Sequence, residues 1–279
     1  MNHSMKGNGD MPISIMQRMA GQFTIALAII AVMDATAPCQ DRDKRPDWQL
    51  SGNLIPNGEF EKGDRQPDNW QGLDGLSTFW IPEGRDGGRC VMIDTDVLLT
   101  QWQERQKEIE RDPDSKASAR LPTKPPKYDT VAGNDGVHYK SLAHVTYREG
   151  AVYLLSVDCR TSAQKNATFT PFMWCRGYLT HRGRERRIGE AQLYLHDAGP
   201  EWKTHCMLMH PSKWKSTIND KPAQPEYFKV VLYAYWPPGK YWFDNVSLVE
   251  VDETRLPPEL KKMTAQPQRP PEPPGKSRK

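Results

Sequence analysis

From Leu50 to Val251 the chain is a succession of short runs of β-branched, aromatic and aliphatic residues, divided by clusters of Gly, Pro and Asp. That rhythm constrains the fold more than any other feature: such runs, with turn residues between them, predict the strands of an all-β sandwich. The clearest runs are Cys90 to Ile93, Val152 to Arg160, Phe169 to Thr180, Ala191 to His196, His205 to His210, Tyr227 to Trp236 and Tyr241 to Val251. Pro237-Pro238-Gly239 divides the last two, and the pair reads as a hairpin. The span 50–252, about 200 residues, is enough chain for one sandwich with its own core.

An intrusion over 97–137 breaks the rhythm. Residues 98–111 are strong helix formers, with Leu98, Leu99, Trp102 and Ile109 near one face, and the helix should stop before Asp112-Pro113. Pro122, Pro125 and Pro126 then mark an extended loop that returns near His138. The residues leave open whether this is a functional flap or a helix packed over a sandwich edge.

Both ends differ in composition from the middle. Residues 1–37 read as an export segment: Lys6 and Arg18 precede the apolar run Phe23 to Met33, and Ala35-Thr36-Ala37 offers a small-residue cleavage site. Pro38 disfavours cleavage there, and Cys39 is a poor match to a lipidation site, so cleavage, lipid attachment and an uncleaved membrane anchor all stay open. Residues 38–49 read as a linker. Residues 253–279 are rich in Pro, Lys and Arg and are expected to form a disordered tail. The expected location is periplasmic, cell-surface or extracellular, with membrane contact only through the N-terminus.

Lys plus Arg number 38 and Asp plus Glu 35, which gives no basic footprint for nucleic acid. The one dense basic cluster, His181 to Arg187, reads as a solvated hairpin tip. Cys90, Cys159, Cys175 and Cys206 remain beyond the export segment, an even number without C-x-x-C spacing. Two bridges and four buried thiols are both compatible with it.

Two segments carry a family resemblance. Asn53-Leu54-Ile55-Pro56-Asn57-Gly58-Glu59-Phe60-Glu61 reads as a short strand with a Pro-Asn-Gly turn, followed by Trp70 after a Pro-Asp-Asn loop. Tyr241-Trp242-Phe243-Asp244-Asn245-Val246-Ser247-Leu248 is an apolar-aromatic strand with one acidic residue. Together they resemble the carbohydrate-binding modules of families 4, 9, 16 and 22, which are galactose-binding-like jelly-roll β-sandwiches. The resemblance implies a structural Ca²⁺ beside the termini of the sandwich. Its ligands would fall on Glu59 (main-chain carbonyl), Glu61 (side chain), Asp86, Arg89 (main-chain carbonyl) and Asp244. Glu59 stands where the family has a small residue. Read alone, Glu61 and Asp244 are equally surface acids at strand ends, and Asp86-Gly87-Gly88-Arg89 an ordinary turn.

Sugars present a C–H face and a ring of hydroxyls, so a sugar site needs flat aromatic platforms beside polar groups. Alternation puts Trp174, Arg176 and Tyr178 on one strand face, and Lys229, Val231, Tyr233 and Tyr235 on the open parity of another. Tyr153, Leu155 and Val157 take the buried parity of a third run, which leaves Ser156, Asp158 and Arg160 for the exposed sheet face. These residues predict stacking on Trp174, Tyr178, Tyr233 and Tyr235, with Arg176, Asp158 and Lys229 orienting hydroxyls. Trp70, Trp202, Trp242 and Phe243 are expected in the core or at its edge, and Trp80 and Trp214 in loops, the alternative place for a sugar site at the tip of the sandwich. There is no Gly-x-Ser-x-Gly elbow, no H-E-x-x-H and no evident carboxylate pair, so the chain does not read as an enzyme. The expected function is noncatalytic binding of a polysaccharide or glycan; the alternative is a structural or protein-interaction module with an envelope protein as partner.

Overall fold

A computed structural model describes residues 45–119, 128–134, 136–163 and 171–265. All of them fall in the compact unit Lys44–Lys279. The export segment, Cys39, most of the proposed linker, the middle of the 97–137 intrusion and the tail beyond 265 lie outside the described residues.

The strands in chain order are β1 (Thr78–Ile81), β2 (Cys90–Asp94), β3 (Val137–Lys140), β4 (Val145–Thr146), β5 (Val152–Thr161), β6 (Phe172–His181), β7 (Arg184–Tyr194), β8 (Lys203–Met209), β9 (Thr217–Ile218), β10 (Lys221–Pro222), β11 (Tyr227–Ala234) and β12 (Lys240–Val251); the helices are α1 (Leu99–Arg111) and α2 (Pro258–Thr264). One antiparallel sheet runs β1-β2-β12-β5-β8. The other runs β3-β11-β6-β7, with β4 also on β11. The fold is therefore the expected all-β sandwich.

Its core lies where the buried parities of the two sheets meet. Tyr153, Leu155, Val157 and Cys159 of β5 face Met173 and Cys175 of β6 and Phe228, Val230 and Leu232 of β11 in one cluster. Each fully buried large side chain there is worth about 1.5–3 kcal/mol of transfer free energy. β12 keeps its core face by means of a bulge: the register on β5 shifts between Asp244 and Ser247, and Asn245 takes φ 49°. Tyr241 and Phe243 point inward before the bulge, Val246 and Leu248 after it. The extra residue resets the alternation and leaves Asp244 facing outward.

Tyr227–Ala234 and Lys240–Val251 do not form a hairpin. β11 pairs with β3, β4 and β6, and β12 pairs with β2 and β5, so the Pro237–Gly239 segment carries the chain from one sheet to the other. Pro and Gly suit a hairpin turn and a crossover between sheets alike, and the sequence alone does not distinguish these. The segment around Leu54 is also not a strand: it follows β12 through isolated bonds, Leu54 N–H to Leu248 O and Val246 N–H to Gly58 O.

The domain extends further than 50–252. Gln49 bridges to Val251, and Trp48 packs with Leu256, Leu260 and Met263 against Leu154, Cys206 and Val249 on the outer face of the β5–β8 end. Residues 253–265 thus include a helix that covers apolar surface, where the composition predicts the start of a disordered tail. Its apolar residues, Leu256, Leu260 and Met263, are too few to show through the surrounding Pro and Lys.

α1 ends at Arg111, before Asp112-Pro113 as expected, and buries Leu99, Trp102, Gln106 and Ile109. Leu98 does not join that face; it precedes the helix in extended conformation and is exposed. The Arg105 guanidinium donates to the Asp74 carbonyl at 2.7 Å, which fastens the helix to the loop before β1. The basic cluster is a hairpin tip as read: Arg182 and Gly183, both at positive φ, join β6 to β7. The four described cysteines are free and buried.

Candidate functional site

On the β3-β11-β6-β7 sheet, the outward parity is aromatic and charged. Along β6, Phe172, Trp174, Arg176 and Tyr178 are half-buried and alternate with buried Met173, Cys175 and Gly177. Register brings Phe172 opposite Tyr233, Trp174 opposite Val231, Arg176 opposite Lys229 and Tyr178 opposite Tyr227. On the far side of β11, His138 lies opposite Tyr233.

The face has three zones. At one end Phe172, Trp174, Tyr233 and His138 form a nest of edge-to-face and tilted contacts, with Trp174–Tyr233 centroids at 5.1 Å and His138–Tyr233 at 4.6 Å. Tyr235 stacks on Tyr233 at 6.1 Å. The middle is charged: the Arg176 guanidinium lies 3.9 Å over the Trp174 ring and donates to Glu190. Lys229 donates to both oxygens of Glu185, and the Tyr227 hydroxyl donates to the same carboxylate at 2.6 Å. Those hydrogen bonds hold the Glu185 carboxyl below its ordinary range. At the other end Tyr178 and His144 stack on Tyr227 from 5.8 and 4.1 Å.

One polar group in the nest is left over. The Trp174 indole N–H is shielded from solvent and has no hydrogen-bond partner. An unmet buried polar group of this kind costs about 1–3 kcal/mol of stability.

Of the seven residues expected to bind ligand, the structure gathers six: Trp174, Arg176, Tyr178, Tyr233, Tyr235 and Lys229. Asp158 is not among them. It lies on β5, in the other sheet, and points outward there; its carboxylate accepts from Arg85 Nη1 and Thr204 Oγ1 at 2.6 Å and from Asn245 Nδ2 at 2.9 Å. Strand parity is readable from sequence, but which sheet a strand joins is not. Phe172, His138 and Glu190 were missed. Phe172 shares the parity of Trp174 and was within reach of the alternation argument, whereas His138 arrives only through the long-range β3–β11 pairing.

Trp70 and Phe243 are core as expected. Trp242 and Trp202 instead flank Arg160 on the outer face of the other sheet, at 4.6 and 5.2 Å. Trp80 is on β1 and packs on the core, with its N–H donated to the Phe60 carbonyl. Trp214 is half-buried over the Gly177–Gly189 pair, where a Cβ on either glycine would meet the indole within 2.5 Å.

The residues assigned to a cation converge in part. Around the 84–88 turn, Glu61 Oε1 accepts from Arg89 N–H at 2.9 Å, and Asp244 Oδ2 accepts from Arg85 N–H at 2.8 Å. The place a Gly84 Cβ would take lies 2.9 Å from both the Arg89 carbonyl oxygen and Asp244 Oδ2. Asp244 is almost fully buried, and its carboxyl is pushed up to about 6, first by burial and further by the Asp158 and Glu61 charges. Two carboxylates and a carbonyl are the oxygen chemistry that Ca²⁺ takes, so these three residues fit such an ion. Asp86 stands exposed and Glu59 half-buried. Among the described residues there is no cluster of three or more His, Cys, Asp or Glu side chains placed for a metal.

No protein-family model and no curated protein matches the sequence. Solved structures do. A family 16 carbohydrate-binding module is similar at 15% identity over 71% of this chain and 100% of its own, with TM-score 0.41. A family 4 module is similar at 13% identity over 70% of this chain and 99% of its own, TM-score 0.34. The family 22 xylan-binding domain from Paenibacillus barcinonensis is similar at 11% identity over 70% of this chain and 92% of its own, TM-score 0.35.

Proposed function

We propose that the β3-β11-β6-β7 face binds a polysaccharide or glycan chain without catalysis. The observation that carries this reading is the outward-facing nest of Phe172, Trp174 and Tyr233, with Arg176 held over Trp174. The rings offer platforms for C–H faces. Arg176, held over Trp174, supplies planar donors. Tyr178 and Tyr227 extend the track along the strand by about 13 Å from Trp174, four residues at roughly 3.3 Å each. Lys229 serves chiefly to hold Glu185 and the Tyr227 hydroxyl in place.

Ca²⁺ belongs to the scaffold in this reading. Held by Glu61, Asp244 and the Arg89 carbonyl, it would offset the buried negative charge at Asp244 and join the N-terminal segment to β12, away from the sugar face. The apolar run Phe23 to Met33 supports placing the binding outside the cytoplasm.

The test is a glycan-array screen of the full chain beside its Trp174→Ala/Tyr235→Ala variant. Selective binding that the variant loses is the expected result. A blank array from folded protein, or binding the variant keeps, would remove the glycan reading and turn the face toward a protein partner.

A further inference from the structure

The β6–β7 hairpin outruns the sheet it belongs to. β11 begins at Tyr227, opposite Tyr178, so residues 179–181 pair only with 184–186 and form a two-stranded ribbon. Arg184 to Arg187 are all exposed along it. The ribbon prolongs the row of the aromatic face. Phe172, Trp174 and Tyr178 share one parity of β6, Thr180 follows on it, and Arg182 stands in the turn at φ 52°. The turn lies within about 13 Å of Tyr178, four residues at roughly 3.3 Å each.

The ribbon is also where the chain concentrates its charge. Residues 181–187 hold four arginines and one glutamate. That excess of three is the formal net charge of the whole chain, +3, so everywhere else Lys plus Arg balance Asp plus Glu. The acids close by are already engaged: Glu185 accepts from Lys229 and the Tyr227 hydroxyl, Glu190 from Arg176 and Arg187, and Glu226 from the Thr180 N–H. Among the described residues, the side chains of Arg182, Arg184 and Arg186 have no hydrogen-bond or ion-pair partner, and all three are exposed. Three like charges on one short ribbon repel one another. Keeping the β7 edge from pairing with another sheet does not call for them, since lysine serves that purpose as well. What arginine adds is a planar fork that matches the paired oxygens of an acidic group.

We infer that the chain this face takes is an acidic polysaccharide, whose carboxylate or sulfate groups bind Arg182, Arg184 and Arg186 where it runs off the aromatic row past Tyr178. Arg184 and Arg186 pair with His181 and Leu179, on the parity opposite to Tyr178. They therefore hold a chain that bends over the end of the ribbon, with Arg182 at the crest. The inference rests on the glycan reading of the face and adds the charge of the ligand to it.

The experiment arrays neutral, uronate-bearing and sulfated polysaccharides, with duplex DNA and phosphatidylserine vesicles as other polyanions. It probes them with the full chain, an Arg182→Gln/Arg184→Gln/Arg186→Gln variant and Trp174→Ala, at about 50 and 300 mM salt, where screening differs. Acidic polysaccharides should bind about tenfold or more tighter than neutral ones at low salt, and less so at high salt. The triple variant should lose that preference and its salt dependence while keeping neutral binding, and Trp174→Ala should weaken both. The uronate and sulfate arms name the acidic group. Equal binding of neutral and acidic chains, or a preference the triple variant keeps, would overturn the acidic ligand and leave the face as a glycan site. DNA or vesicles bound as tightly as the acidic polysaccharides, with Trp174→Ala without effect, would make the ribbon a general polyanion patch and overturn its place on the glycan track. No polysaccharide binding at all would overturn both readings.

Discussion

The Arg176 guanidinium lies 3.9 Å over the Trp174 ring, and Glu190 Oε2 accepts from its Nε at 3.3 Å. The pair makes one stacked unit, in which the planar donors of Arg176 lie over the Trp174 ring. Lysine retains the charge but neither the plane nor the fork. If the unit receives sugar, Arg176→Lys should lower glycan affinity about tenfold, or about 1.4 kcal/mol, and Trp174→Ala by more than that. Both positions are half-buried on the outward parity of β6, outside the main core, so melting temperatures should fall by only a few degrees. Calorimetric titration with the array-selected glycan reads the affinities; equal affinity in Arg176→Lys and the parent would remove Arg176 from the site.

Gly177 and Gly189 lie opposite one another on β6 and β7 and leave the slot that Trp214 fills, edge-on to Phe228 at 6.0 Å. Trp214→Ala should cost about 2 kcal/mol, less than the roughly 3–5 of a fully buried tryptophan. Gly189→Ala should destabilise the parent strongly and the Trp214→Ala variant much less, since the clash is with the indole. A double-mutant cycle by urea unfolding checks this; additive effects would contradict the slot.

Much of this was legible in the chain and some was not, for a consistent reason. Alternation is local, so the exposed parity of Trp174, Arg176, Tyr233 and Lys229 could be read off two strands separately. Membership of a sheet is not local: Asp158 has the right parity on the wrong sheet, and Tyr227–Ala234 and Lys240–Val251 are neighbours in sequence but not partners. Asn245 is the reverse case. One left-handed residue decides which side of β12 faces the core on each side of Asp244, and nothing in Asp-Asn-Val announces a bulge rather than a plain strand.

The described cysteines predict a chemical silence. Burial pushes the Cys90 thiol up to about 12 and Cys206 to about 11, and raises Cys159 and Cys175 further. Thiolate is the reactive form, so none should react with a disulfide reagent near pH 8 in the native state. In a Cys39→Ser background, all four thiols should titrate together on unfolding in denaturant. A fast native-state reaction, or fewer than four thiols unfolded, would show a cysteine exposed or bridged.

Asp244 sets a pH dependence with a definite sign. Its carboxyl titrates near 6 in the folded chain and near 3.8 when unfolded. Between those values the native state holds the extra proton, so this group lowers stability as pH rises through about 4 to 6 and contributes no further slope above. The whole effect is on the order of 2 kcal/mol, because each tenfold change in proton affinity is worth roughly 1.4 kcal/mol and solvent relaxation takes back a part. Asp244→Asn should flatten that segment of the stability curve. A cation on Glu61, Asp244 and the Arg89 carbonyl reverses the sign, because it binds the ionised carboxylate and is displaced by protons. Millimolar Ca²⁺ should therefore raise the melting temperature at about pH 7.5 relative to chelator, and the two curves should converge near pH 4.5, below the Asp244 transition. Coincident curves at both pH values would dismiss the ion while leaving the Asp244 slope to stand on burial and the neighbouring Asp158 and Glu61 charges.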